Sequence, residues 1–137
     1  MKFTVKKVPK FKIDFSFSSK QMADIAKDAR TLMTRRTQSG KDIKDRTFKP
    51  YSLLYKKSGT PNLTDTGRMI GGLEVNSRKD YGKISITDVE QNNKGYYHQK
   101  GMGRLPKRKW FGLSPKDNNK LMDKTIRPMF RKKVKND

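Results

Sequence analysis

The chain has 137 residues, enough for one domain with a modest core, and 31% of them are apolar. Its 34 Lys and Arg outnumber 13 Asp and Glu, a formal charge of +21, and self-repulsion on that scale opposes compaction unless a polyanion, an acidic partner or salt screens it. Cysteine is absent, which excludes disulfides and thiolate metal sites, and no apolar run approaches the roughly 18–20 residues that span a bilayer.

A mean hydropathy of −1.02 leaves a small core beneath a large polar surface, a composition that favours burial against partner subunits. Residues 1–12 contribute five Lys and no acid, and residues 126–137 five basic residues and one Asp, so a charge of +12 remains on the body between them. A basic body says more than a basic tail. The first residues alternate Lys with single apolar side chains and lack a signal-peptide core, so synthesis and assembly in a reducing cytoplasm are expected.

Residues 2–17 read as extended, with Phe11, Ile13, Phe15 and Phe17 at strand period. Ser18 and Gln21 offer a capping box for a helix whose apolar stripe runs through Met22, Ile25, Ala26, Ala29, Leu32 and Met33 and ends near Gly40. Residues 38–62 are rich in polar and basic side chains and punctuated by Gly and Pro. Phe48, Tyr51 and Tyr55 argue for order there, so the segment reads as an extended arm.

Thr64 or Thr66 caps a short helix bearing Met69 and Ile70; Leu73–Asn76 and Lys83–Thr87 then form a hairpin. Residues 89–101 suggest a short, weak helix carrying Tyr96, Tyr97 and His98. Ser114 and Pro115 open a last helix with its buried stripe on Leu121, Met122, Ile126, Met129 and Phe130. Pro128 is expected to kink or divide it. The whole predicts a single α+β domain: an antiparallel sheet, a long first helix, a carboxy-terminal helix, an arm at 38–62, and basic extensions at 1–12 and 131–137.

No catalytic constellation is visible, and no cofactor or metal is expected. His98 is the only histidine, and a structural role between Tyr97 and Gln99 is the plainer reading. Asp88 and Glu90 stand at a metal-nuclease spacing, but no lysine follows where such sites place one. Neither a P-loop nor a dinucleotide fingerprint is present. Between Tyr96 and Trp110 two readings stand. Lys100, Arg104, Lys107, Arg108 and Lys109 form either a phosphate-contacting surface or a solvated loop, with Trp110 and Phe111 in the core. No sequence-reading module accompanies them. The aromatics Phe48, Tyr51 and Tyr55 likewise either fold onto their own core or insert into a neighbouring subunit.

The segments DIKDRTFKPYSLLYKK, NLTDTGRMIGGL and GYYHQKGMGRLPKRKWFGLSPKD occur in an order that resembles the phage virion morphogenesis family, which includes tail-completion proteins of long-tailed phages and Mu-like G proteins. The four motifs fall on Phe48–Tyr55, Leu63–Met69, Tyr97–Gly101 and Arg108–Ser114, the last with Trp110 in place of a Phe and Lys109 before it. The resemblance covers roughly residues 19–130 and excludes both basic ends.

It implies a structural virion protein at the head-proximal end of the tail, assembled as a ring, hexameric by family resemblance, against neck and tail-terminator proteins. Phe48, Pro50, Tyr51, Tyr55 and Leu63 are the expected subunit contacts. Lys100, Arg104, Lys107, Arg108 and Lys109 are expected to face DNA or an acidic neighbour, and no membrane is involved. The competing expectation is a basic protein that binds nucleic acid through phosphates without reading sequence. A ribosome-associated protein fits the charge but leaves the four ordered motifs unexplained.

Overall fold

A computed structural model describes residues 2–6, 16–51, 59–64 and 67–136, with 2–6 and 133–136 described by their backbone. It shows an α+β arrangement. Strand β1 is Lys2–Lys6, helix α1 Ser19–Gln38, α2 Arg68–Gly71, β2 Leu73–Arg78, β3 Tyr81–Ile86, α3 Val89–Lys100 and α4 Pro115–Leu121. A π-helical turn, Met122–Ile126, joins α4 to α5, Arg127–Asn136. The expected strand at Phe11–Phe15 lies outside the described residues.

Helix α1 begins where the sequence says it should. The Ser18 hydroxyl accepts from the Gln21 amide at 3.1 Å, and the Gln21 side chain accepts from the Ser18 amide at 2.9 Å. This reciprocal cap satisfies two donors that a helix end otherwise leaves free. One face buries Met22, Ile25, Ala26, Ala29, Met33 and Arg36 at spacings of three and four residues.

That face lies across the sheet, whose order is β1-β3-β2 with both pairings antiparallel. Leu73 faces Ile86 and Val75 faces Ile84, so the hairpin presents one apolar face. Contact is close because Gly82 has no side chain: a Cβ there would stand 3.2 Å from both the Ala26 methyl and the Met22 carbonyl oxygen. Small residues on both elements set the separation of helix and sheet.

The hairpin turn also holds the chain entering α1. Asp80, in the left-handed region at φ 57°, donates its amide to the Phe17 carbonyl at 3.0 Å, while its carboxylate accepts from the Phe17 amide at 2.5 Å. Phe17 is buried and packs edge-on against Phe130 of α5, with ring centroids 5.3 Å apart. The first and last described helical regions therefore share one core.

Two details depart from expectation. The short helix α2 has Gly67 at its cap, with no side-chain bond, so Thr64 does not cap it. Thr64 instead closes a local turn, its amide donating to the Asn62 side chain at 3.0 Å; Thr66 lies outside the described residues. At Pro128 the helical run continues, but its regular winding is interrupted just before the proline. A π turn precedes it, in which the Arg127 amide reaches back five residues to the Met122 carbonyl. A proline lacks the N–H of a regular ladder and crowds the carbonyl four residues earlier; the wider turn accommodates both faults.

Candidate functional site: a basic and apolar surface on α3

Asp88 caps α3, its carboxylate accepting from the Gln91 amide at 2.9 Å, and Glu90 pairs with Lys94 in the first turns. These acids start a helix rather than end a strand, and each is occupied locally. Among the described residues no three His, Asp or Glu come together as metal ligands.

Helix α3 stops at Gly101, whose φ of 67° and ψ of 48° suit a residue without a Cβ. Packing makes the same demand, since an added Cβ would lie 2.7 Å from the Lys107 amide nitrogen. The chain turns back tightly from there. Met102 donates to the Tyr97 carbonyl at 3.1 Å, and Arg108 donates its amide to the His98 carbonyl at 2.8 Å. The Gln99 carboxamide oxygen accepts from the amides of both Trp110 and Phe111 at 3.0 Å. Trp110 is fully buried and donates its indole N–H to the Gly95 carbonyl at 3.0 Å. Helix α3 and the 101–110 loop thus form one braced unit, with Trp110 and Phe111 in the core as one of the two sequence readings has it.

The outer face of this unit is unlike the rest of the surface. Val89, Tyr96, Tyr97, Met102 and Leu105 are the large apolar side chains most exposed among the described residues, at 39–74%. All five lie between α3 and the loop that follows it. Lys100, Arg104, Lys107 and Lys109 are exposed on the same helix and loop, with the Lys100 ammonium 6.0 Å above the Tyr96 ring.

Arg108 departs from the expected outward-facing cation. It is buried, donating through Nε to the Lys49 carbonyl at 3.0 Å and through a terminal nitrogen to the Pro50 carbonyl at 3.1 Å, with its guanidinium over the Tyr51 ring. Burial lowers its pKa, and Tyr51 acts in the opposite sense. Burial and two of its donors tie it to the chain, so it is not the outward-facing cation expected. His98 lies beside it with a buried, unpartnered Nδ1; burial and then repulsion from Arg108 hold the imidazole below its ordinary pKa.

The first half of the expected arm also folds inward. Phe48 is 3% exposed and belongs to the core, its amide bonded to the Gly40 carbonyl at 2.9 Å. Ile43 donates to the Lys109 carbonyl at 2.9 Å, and the Asp42 carboxylate accepts from the Lys44 and Arg46 amides. The fold-back reading therefore holds for Phe48, which is not presented to a neighbour. Tyr51 is half-buried beneath Arg108, Pro50 is exposed, and Leu63 packs against the core at φ 53°. Tyr55 lies outside the described residues.

Sequence reasoning missed a second feature. Arg36 on α1 is buried and ion-pairs with Asp117 on α4; it also donates to the carbonyls of Gly112 at 2.9 Å, of Lys41 at 3.3 Å, and of Trp110. Asp117 meanwhile completes a capping box with Ser114. The pair forms the floor of a cavity of about 530 Å³ between α1, the 39–45 turn and α4. Arg36 sits on the buried stripe of α1, a position that could have flagged it; nothing in the sequence names Asp117 as its partner.

No family model, curated protein or solved structure matches the chain.

Proposed function

We propose that the chain is a structural subunit of a tailed-phage virion, completing the tail or joining tail to head at the neck as a ring of like copies. The observation that carries the reading is the gathering of exposed Val89, Tyr96, Tyr97, Met102 and Leu105 on one braced unit. Large apolar side chains exposed on one helix and the loop that follows it favour an interaction surface, whereas singly scattered ones need no explanation. Tyr and Met are residues that subunit interfaces favour. The four motifs in family order supply the phage assignment, and their last two, Tyr97–Gly101 and Arg108–Ser114, lie within or beside this unit.

The neighbouring copy, rather than the arm, is the occupant proposed for this face. The role is a non-enzymatic one, in a six-membered ring assembled in the host cytoplasm and carried in the virion. The exposed cations of the same face would meet either acidic groups of an adjacent layer or DNA phosphates.

Light scattering and native mass spectrometry of the purified chain test the reading, with imaging of the tagged protein in particles. A discrete ring is expected, located at the head–tail junction, and the triple variant Tyr97→Ser, Met102→Ser, Leu105→Ser should remain folded and dissociate. A wild-type chain that stays monomeric at high concentration and maps elsewhere in the particle overturns it.

A further inference from the structure

A second cavity between α1 and α5 lies next to the one above the Arg36–Asp117 pair. The two share Asp28, Lys124 and Thr125 as lining, and the Thr125–Asp28 hydrogen bond ties the two walls where they meet. Together they form a groove flanked by α1 on one side and by the continuous helical run from Pro115 to Asn136 on the other. Lys116, Lys120, Lys124 and Lys132 lie along the second wall. From Lys116 to Lys132 the wall extends about 24 Å at 1.5 Å per residue, and its first three cations are about 6 Å apart. Arg35 and Lys41 add charge from the opposite side.

These cations find no counter-ion among the described residues. Among the described residues none of Arg35, Lys116, Lys120 and Lys124 takes part in an ion pair. Of the groove's carboxylates only Asp117 is spent on an ion pair among the described residues. Asp117 is paired with Arg36, while Asp28 accepts from the Thr125 hydroxyl at 2.7 Å and Asp45 from the Lys116 amide at 3.5 Å. These two and Asp24 still count against the positive charge, but the cations named above, together with Lys27, outnumber them. A row of unpaired ammonium groups raises the chain's self-repulsion, which a bound polyanion would relieve.

The lining also indicates which polyanion. Protein partners are held by aromatic and apolar anchors, and lysine is depleted where they dock. Single-stranded nucleic acid is held by rings on which bases stack. No aromatic side chain among the described residues lines this groove. What remains suits a regular, rigid line of phosphates contacted as point charges.

We infer that the groove between α1 and the Pro115–Asn136 helical run, through Lys116, Lys120, Lys124 and Arg35, seats the phosphodiester backbone of a nucleic-acid duplex without reading its sequence. The site shares no residue with the α3 surface, and the inference stands whether or not the chain forms a ring.

Binding of the full chain to a short random-sequence DNA duplex, titrated over a range of salt, tests it. The variant Lys116→Gln, Lys120→Gln, Lys124→Gln is compared with Lys100→Gln, Arg104→Gln, Lys107→Gln, which removes equal charge from the α3 surface. Loss of three phosphate contacts should lower the slope of log affinity against log salt by about 2.7 for the first variant, and the second should lose clearly less even where the α3 cations also touch DNA. Lysine-reactive footprinting of the wild-type complex should show Lys116, Lys120 and Lys124 protected, a result independent of any variant's folding. Single strands and polyglutamate should bind more weakly than the duplex. Equal losses in the two variants, unprotected groove lysines, or preferential binding of single strands or polyglutamate each overturn the assignment.

Discussion

Replacing Arg36 by Met keeps an unbranched apolar stem and removes the guanidinium. Asp117 is then a buried carboxylate without its counter-ion, and the carbonyls of Lys41, Trp110 and Gly112 each lose a donor. Breaking a buried pair by removing one partner costs about 3–5 kcal/mol. Asp117 retains the Ser114 amide at 3.2 Å, its share of the α4 cap, which argues for the lower half of that range. Against a total stability of about 5–15 kcal/mol for a domain of this kind, the loss is large. It corresponds to a fall in melting temperature of roughly 10–15 °C. Urea unfolding followed by circular dichroism measures it, provided the slope against denaturant is unchanged. Asp117→Asn, which keeps the cap acceptor but strands the guanidinium, should cost a similar amount. The double variant should cost less than the two singles together by more than about 1 kcal/mol, because each single leaves behind the same kind of uncompensated charge. A loss below about 1 kcal/mol for Arg36→Met, or strict additivity in the cycle, would refute the view that this pair fixes α1 to α4.

Gly101→Ala should destabilise by more than about 1 kcal/mol, since both backbone angle and packing oppose a Cβ there. Gly103→Ala, at φ 65° with no atom within 4 Å of the added carbon, should cost measurably less in the same urea titration. His98 makes stability depend on pH with a definite sign. Its folded pKa lies below the ordinary 6.5, so the unfolded chain takes up a proton first, and stability falls as pH drops through 6.5 towards the folded value. The slope of this component is at most about 1.4 kcal/mol per pH unit. His98→Gln should flatten the dependence between pH 7.5 and 5.5, and parallel curves for the two proteins would contradict the assignment. Asp80→Ala should cost about 1–2 kcal/mol by removing the Phe17 acceptor and straining a left-handed residue; an unchanged urea midpoint would show that the hairpin turn does not hold Phe17.

The elements that local chemistry specifies were legible in the sequence. Ser18 with Gln21 marks the start of α1, Ser114 with Pro115 marks α4, and alternation marks the β2–β3 hairpin. Each depends on residues within a few positions of one another. The roles of Phe48 and Arg108 were not legible, because a loop aromatic and a basic cluster look alike in sequence whether they face inward or outward. What decides is distant: carbonyls of Lys49 and Pro50 that need a donor, and a core with room for one more ring. The same distance hides the groove. The four-residue recurrence of Lys116, Lys120 and Lys124 is visible on one strand of text, but Arg35 and Lys41 join them only through the packing of α1. Where the α3 surface is concerned, Tyr96 and Tyr97 were already conspicuous; Val89, Met102 and Leu105 became its members only once the helix and loop were seen to fold as one.

The π turn at Met122–Ile126 carries one last implication. It inserts an extra residue into the winding of an otherwise regular helix, shifting everything beyond it by about 100° in phase. Wound as a regular helix with the same residues, the run would turn Phe130 off the face that now meets Phe17. Deleting a single residue from the turn would restore a regular hydrogen-bond ladder and leave Phe130 on that face. This stretch should therefore tolerate loss of one residue far better than deletion elsewhere in the run, which would rotate everything beyond it by about 100°.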